Sequence, residues 1–351
     1  NKFQLNLPVT PINDLYIQDN DLIAATSGRG FWILDDLGAI QNIKTTKQSL
    51  SIFKPKDTYL IFGGSVNRFV PGLGQNPKSG VTFDYYLNQD IDTLTLTLDV
   101  LKNGNILRTI SSEKVHNFKS WPGGPPKPQT LPAKEGYNRF TWDFNRNALP
   151  GIENVFVHGS HVGGSVAPGN YTLRLTLGKV TAETEVTILK DPTVNATAAA
   201  YNEQQVMIDQ IETAIREIHE SVNSMRSAKT QLQDYAKLLK DNEEANSLLK
   251  TGEVLIKKIN AWERQLIQPD QKTFQDVINF NNKLSSQLMH LKGYIEAVDP
   301  AITAGAKERL FDLISTWNVY QNERDDLMNK DMTSFNAQFS ELNLPAIIIK
   351  D

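Results

Sequence analysis

Between Asn13 and Leu189 several segments carry apolar residues at every second position, and from Ala196 to Leu342 apolar residues recur at every third or fourth. The first period predicts strands and the second amphipathic helices. The opening run, Asn13 to Asp36, reads as three short strands: Asp14 to Gln18, Leu22 to Thr26 and Gly30 to Leu34. Asp19, Asn20 and Asp21 separate the first pair and Ser27 and Gly28 the second, so the connections have the chemistry of tight hairpins and an antiparallel meander follows. A sheet this small has exposed edges and rarely stabilises itself, which predicts that it belongs to something larger.

A polar connector, Gly38 to Lys56, leads to further alternation. Tyr59 to Phe62 is a short apolar run; Val81, Phe83 and Tyr85 alternate, as do Leu94, Leu96, Leu98 and Val100. Asn103-Gly104 is a strong hairpin signal, with Ile106 to Ser111 as the return strand, and Val81 to Ser112 reads as a hairpin of a sandwich. After a Pro- and Gly-rich excursion around Trp121, the strand at Gly136 to Phe144 puts Tyr137, Arg139, Thr141 and Asp143 on one face and the core candidates Phe140 and Trp142 on the other. A second irregular excursion covers Asn145 to Val166, and then Tyr171, Leu173, Leu175 and Leu177 alternate before a return strand from Val180 to Leu189. Six or seven strands with hairpin turns predict an immunoglobulin-like or fibronectin type III-like β-sandwich.

Asp191-Pro192 closes this region. Ile208, Ile211, Ile215, Ile218, Val222 and Met225 then mark a long helix; Leu248 to Leu266, stopped by Pro269, a second; Leu284 to Val298, stopped by Asp299-Pro300, a third; and Leu310 to Leu342 a fourth. Four amphipathic helices with short polar loops predict an antiparallel four-helix bundle. The expected fold class is therefore multidomain α+β, with domains at 1–45, 46–192 and 193–343 and an extended tail at 344–351.

With 40% apolar and 22% charged residues the 351-residue chain has an ordinary soluble composition, and no run approaches the roughly 18 apolar residues of a membrane span. The absence of cysteine rules out disulfides and thiolate chemistry. The net charge of −4 is carried by the helical part, and no basic stripe suited to nucleic acid is present.

The run T-S-G-R-G-F-W-I-L-D-D, preceded by L-N-L-P-V-T-P-I-N-D-L, resembles the closing blade of the BNR-repeat, sortilin-like β-propellers, bacterial proteins often labelled glycosyl hydrolases. The runs N-R-F-T-W-D-F and P-G-N-Y-T-L-R-L-T resemble the sandwich that follows the propeller in that family, and Q-P-D-Q-K-T-F-Q-D-V-I-N-F-N-N-K-L its helical tail. The resemblance implies a C-terminal fragment beginning inside the last blade, whose partner is the missing N-terminal propeller, in a periplasmic or extracellular protein. It implies a scaffold or interaction region without a catalytic residue or cofactor of its own. The alternatives are an accessory part of a glycoside hydrolase, with carbohydrate as ligand, and sortilin-like peptide or protein binding.

Arg29, Asp35 and Asp36 form the sharpest polar cluster. At a propeller rim they could grip a sugar or carboxylate; as fold residues they close blade turns, with Gly28 and Gly30 supplying backbone freedom. The turn-closing reading is the expectation, since function must be argued from a site and the Asp-box S-x-D-x-G-x-T-W is absent. Phe118 and Trp121 are the candidates for a carbohydrate platform. His158 and His161, two apart on an extended segment, suggest a metal pair with His116 as a third, but only Glu153 adds a nearby carboxylate and a site needs three or four convergent ligands, so solvated loop histidines are expected. The Asn170 and Asn195 sequons read as coincidence, and no P-loop, Rossmann, H-E-x-x-H or G-x-S-x-G signature occurs.

Overall fold

The computed structural model describes residues 5–42, 48–61, 77–91, 94–297 and 299–342 of a mixed α+β protein. Two compact units emerge, neither contiguous in sequence. The first comprises Asn1–His116, Pro128–Asn145 and Val166–Val194; the second comprises Asn117–Lys127, Arg146–Ser165 and Asn195–Asp351.

In the first unit the meander forms as its turns predict: β1 (Ile12–Gln18), β2 (Asp21–Thr26) and β3 (Phe31–Leu34) make an antiparallel sheet in the order β1-β2-β3. Asp19 and Asn20 both hold positive φ, +47° and +67°, as a two-residue hairpin of matching twist requires. A short helix, α1 (Gly38–Gln41), follows.

Two further sheets share one apolar core. One has the order β4-β6-β9, from β4 (Leu50–Ile52), β6 (Val81–Leu87) and β9 (Gly136–Trp142). The other has the order β5-β11-β10-β7-β8, from β5 (Thr58–Leu60), β7 (Leu96–Lys102), β8 (Asn105–Ser111), β10 (Gly169–Leu177) and β11 (Val180–Lys190). Pairing is antiparallel except for β5 against β11. Each strand presents alternate residues to the core, with Val81, Phe83, Tyr85 and Leu87 facing Leu96, Leu98, Val100, Leu173 and Leu175. Trp142 and Tyr171 meet edge to face with ring centroids 5.6 Å apart, and the Trp142 indole N–H donates to the Asn145 carbonyl at 2.8 Å.

One expectation is corrected. The strand from Val81 does not pair with the strand from Leu96: β6 lies between β4 and β9, whereas β7 pairs with β8 and β10. Only β7 and β8 form the hairpin, through Asn103-Gly104 at φ +51° and +80°. Alternation fixes which face of a strand is buried but not the sheet it joins.

The second unit is built on α2 (Ala198–Leu238), whose Thr197 hydroxyl accepts from the Ala200 amide as an N-cap. Ile208, Ile211, Ile215, Ile218 and Val222 are fully buried in a core shared with α3 (Asn246–Leu266), α4 (Leu284–Ile295), α5 (Ala304–Asp326) and α6 (Thr333–Glu341). The predicted fourth helix is present and continuous: α5 passes through a π-helical turn at Leu327–Met332 directly into α6. The tail at 344–351 lies outside the described residues.

The two irregular excursions, expected within the 46–192 sandwich, belong to this helical unit instead. Leu149, Ile152, Val155 and Val157 enter the same core as the helices. A buried polar network secures the second excursion. The Gly164 amide donates to the Glu212 carboxylate at 2.5 Å and the Ser165 amide to Glu296 at 2.8 Å. Lys292, itself buried, donates to Glu296 Oε2 at 2.8 Å and to the Val162 carbonyl at 3.0 Å, and lies 3.8 Å from Glu212. Burial pushes the Glu212 carboxyl up, while the Lys292 charge and the Gly164 amide pull it down.

Two glycines of the first unit with positive φ test this packing. A Cβ on Gly80, at φ +135°, would lie 2.2 Å from the Trp142 carbonyl oxygen, whereas one on Gly104 would meet nothing within 4 Å. Gly80→Ala is expected to lower the urea midpoint of the β unit by the equivalent of roughly 2–4 kcal/mol, and Gly104→Ala by only about 1 kcal/mol. Equal effects would show that the β6–β9 contact is looser than described.

Candidate functional site

The turns of the first unit deliver charge to one place. Asp36 follows β3 at φ +55°, and its carboxylate accepts from the Asn20 side-chain amide and the Gly38 backbone, both at 2.9 Å. The Asp36 amide in turn donates to Asp21 at 2.7 Å. Burial pushes the Asp21 carboxyl up, but its bonds to Lys56 and the Asp36 amide outweigh that, holding it below the usual carboxylate range.

β9 supplies the opposite wall. Arg139 faces away from the core, as the alternation with Phe140 and Trp142 requires, and grips Asp84 of β6 through two bonds of 2.8 Å. Its guanidinium pKa is raised above the usual value, first by that hydrogen-bonded pair and further by the charges of Asp36 and Asp35, against the opposing cost of burial. These groups line a cleft of about 870 Å³ that also takes in Asp57, Tyr59 and Asp143. Asp143 is paired with Arg108 at 2.9 Å.

The cleft is thus a wall of paired charges. Asp21, Asp84 and Asp143 are each paired with a cation: Lys56, Arg139 and Arg108. The arrangement is suited to polar recognition.

The structure brings Asp35 and Asp36 into this cleft and leaves Arg29 out of it. Arg29 sits exposed in the β2–β3 turn, where its carbonyl accepts from the Trp32 indole at 3.0 Å. Lys56, Arg139 and Arg108 were not singled out from sequence. For Arg139 the signal was present, since it shares the outward face of its strand with Thr141 and Asp143.

The remaining candidates lie in the helical unit. Phe118 and Trp121, expected as an exposed platform, are half-buried. The Trp121 indole N–H donates to the Val155 carbonyl at 2.9 Å, and its ring lies so close to Gly124 and Gly151 that neither has room for a Cβ. His158 and His161 do not act together. His158 is half-buried beside His290, while His161 turns into the core with its ring nitrogens 3.1 Å from the Pro150 and Gly123 carbonyls. His116 belongs to the other unit.

His219 of α2, unforeseen from sequence, meets the same Pro150 carbonyl at 2.6 Å through Nδ1 and the Ser285 hydroxyl at 2.6 Å through Nε2. Its signal is positional: Glu212 and His219 both interrupt the apolar arc of α2, where a polar side chain must find a buried partner.

No protein-family model matches the chain, and no curated protein matches it. Among solved structures, one titled pT26-6p aligns over 70% of this chain at 12% identity with a TM-score of 0.15, a level at which no common fold is shown. The chain spans 46% of the length of that structure.

Burial lowers the pKa of His219 to about 4, with the His161 charge adding to the effect and the Pro150 bond opposing it. The fold therefore prefers the neutral ring. Its contribution to stability is complete above the ordinary histidine value near 6.5 and is lost as pH falls from there towards 4. The helical unit should lose on the order of 3 kcal/mol over that interval, read as a falling urea midpoint by far-UV circular dichroism. His219→Gln should flatten the profile; an unchanged profile would place the acid sensitivity elsewhere.

Proposed function

We propose that this chain is a non-catalytic scaffold and interaction region of a BNR-repeat, sortilin-like β-propeller protein acting outside the cytoplasm. In this reading β1–β3 close the propeller as its last blade, the two sheets on a common core are the immunoglobulin- or fibronectin III-like sandwich, and the helices after Ala198 are the four-helix bundle.

One observation carries the reading. Leu15, Tyr16, Ile17, Phe31 and Ile33 of the small sheet are 57% to 77% exposed, and every residue of β1 is exposed. Three strands with apolar residues open to solvent and an unpaired edge are an unstable end state. A neighbouring blade would cover the sheet and complete its hydrogen bonding. The paired charges of the cleft agree with a region that binds or braces rather than cleaves. The helical unit adds a groove between α2 and α5 lined by Val206, Leu310, Phe311 and Ile314, with Phe311 exposed.

Hydrogen exchange tests the reading. The 351-residue chain should be compared with the same chain extended by the polypeptide encoded immediately upstream. Amides of β1 and β3 are expected to exchange at least about tenfold more slowly in the extended protein. Equal rates, or an upstream sequence with no repeated blades, would overturn the proposal.

A further inference from the structure

The second excursion ends in a stretch without an apolar anchor. Its last residue in the helical core is Val157, and none of residues 158–165, H-G-S-H-V-G-G-S, joins that core. Polar contacts hold the stretch instead. Lys292 of α4 donates to the Val162 carbonyl and Gln205 of α2 to the Ser165 carbonyl, both at 3.0 Å, while the Gly164 and Ser165 amides donate to Glu212 and Glu296. Glycines at 159, 163 and 164 leave its backbone free to take other conformations.

Four of the chain's five histidines meet on this stretch, as two pairs. In the outer pair His158 Nδ1 lies 3.0 Å from Nε2 of His290, on the exposed side of α4, with ring centroids 4.6 Å apart. In the inner pair His161 and His219 of α2 are both buried, with centroids 5.5 Å apart, and both meet the Pro150 carbonyl. A hydrogen bond between two imidazoles requires one neutral ring to accept it. When both rings carry protons the bond is lost and two cations stand in contact.

The outer pair is faced by Asn282, 3.3 Å from His158, and by the rings of Phe274 and Phe156; among the described residues no carboxylate bonds to either imidazole. The inner pair is faced by the Pro150 and Gly123 carbonyls and the Ser285 hydroxyl. Charged groups of the surrounding helices are engaged elsewhere: Glu212 and Glu296 with Lys292, Asp209 with Arg146, Glu263 of α3 with Arg226 and Lys229, and Arg309 of α5 with Gln287. Burial lowers the pKa of His158, with the His290 charge adding to this and Asn282 opposing it, and lowers that of His161 against the pull of its carbonyl partners. The neutral rings therefore favour the closed stretch fully above the ordinary histidine value near 6.5, and this contribution is lost as pH falls below it. Glu212 works in the other direction, since burial raises its pKa and acid removes the cost of its charge.

We propose that residues 158–165 form an acid-released strap, fastened to α4 at neutral pH by the His158–His290 pair and freed when both rings are protonated. The outer pair, half-open to water, is the trigger, and the buried inner pair gives way after it. Leu149, Ile152, Val155 and Val157 keep the rest of the excursion in the core, so the helices stay folded while the strap lifts. Release uncovers Lys292 and Glu212, whose buried side chains it partners through the Val162 carbonyl and the Gly164 amide.

Hydrogen exchange of the full chain at pH 7.5 and pH 4.5, followed by mass spectrometry and corrected for the intrinsic pH dependence of exchange, tests this. Peptides covering 158–165 should lose at least about tenfold in protection at pH 4.5, while those of α2 and α5 change by less than about twofold. His290→Gln, which keeps a neutral donor opposite His158, should retain the protection at pH 7.5 and remove most of the acid loss. That variant separates the imidazoles from Glu212, which titrates in both proteins. His290 lies on the helix surface, so its variant keeps the fold, which circular dichroism can verify. His116→Gln should leave the acid loss as it is. Strap protection that survives at pH 4.5, loss in step with α2 and α5, an unaltered acid loss in His290→Gln, or a reduced one in His116→Gln would overturn the proposal.

Discussion

The helical unit depends on neutralising a carboxylate buried among the apolar residues of its core. Glu212 occupies the arc of α2 that also carries Ile208, Ile211 and Ile215. Unpartnered, an ionised carboxylate there would cost several kcal/mol. It is satisfied by the Gly164 backbone amide and by Lys292, which also serves Glu296. The partner is therefore a loop backbone, and the loop must approach closely. Gly163 and Gly164 permit this: a Cβ on Gly163 would fall 2.3 Å from the Asn147 carbonyl, and one on Gly164 2.5 Å from Ile208. Two glycines in an unpatterned stretch are thus as much a condition of the helix packing as the isoleucine stripe.

Much of the secondary structure was legible because it is written in local chemistry. Asp19-Asn20 and Asn103-Gly104 adopt the positive φ angles their hairpins require, and the alternation in β6, β7 and β10 matches their buried faces. What was not legible is address. Leu149, Ile152, Val155 and Val157 lie among Pro and Gly residues without a period, and nothing local says that their core is helical. The same holds for Trp121, whose Pro- and Gly-rich neighbours suggest exposure while close packing half-buries it. The polar residues of the site divide along the same line. Asp35 and Asp36 stood out as a pair, but their companions, Lys56 of the β4–β5 connector, Asp84 of β6 and Arg139 of β9, become neighbours only when the sheets form.

The charged cleft and the apolar meander give the β unit two surfaces of different kinds. Ion pairs half-open to water contribute little to stability, on the order of 1 kcal/mol or less each. Their geometric effect is greater: Arg139, held by Asp84, also reaches the Asp35 carbonyl at 3.4 Å, and Lys56 holds Asp21. The small sheet is thereby oriented by polar contacts while its apolar side chains remain open.

The interleaving of the two units bears on how the chain comes to be folded. The helices from Ala198 onward are synthesised after the strands, yet Leu149, Ile152, Val155 and Val157, which help fill their core, are made between β9 and β10, roughly forty to fifty positions before Ala198. The loops must remain uncollapsed until α2 and α4 arrive, so the helical unit matures late and by long-range contacts, a slow class of event. Cutting the chain at Val194 would leave helices without the residues that close their core. Evolution and engineering alike would therefore inherit the two units as one segment of sequence.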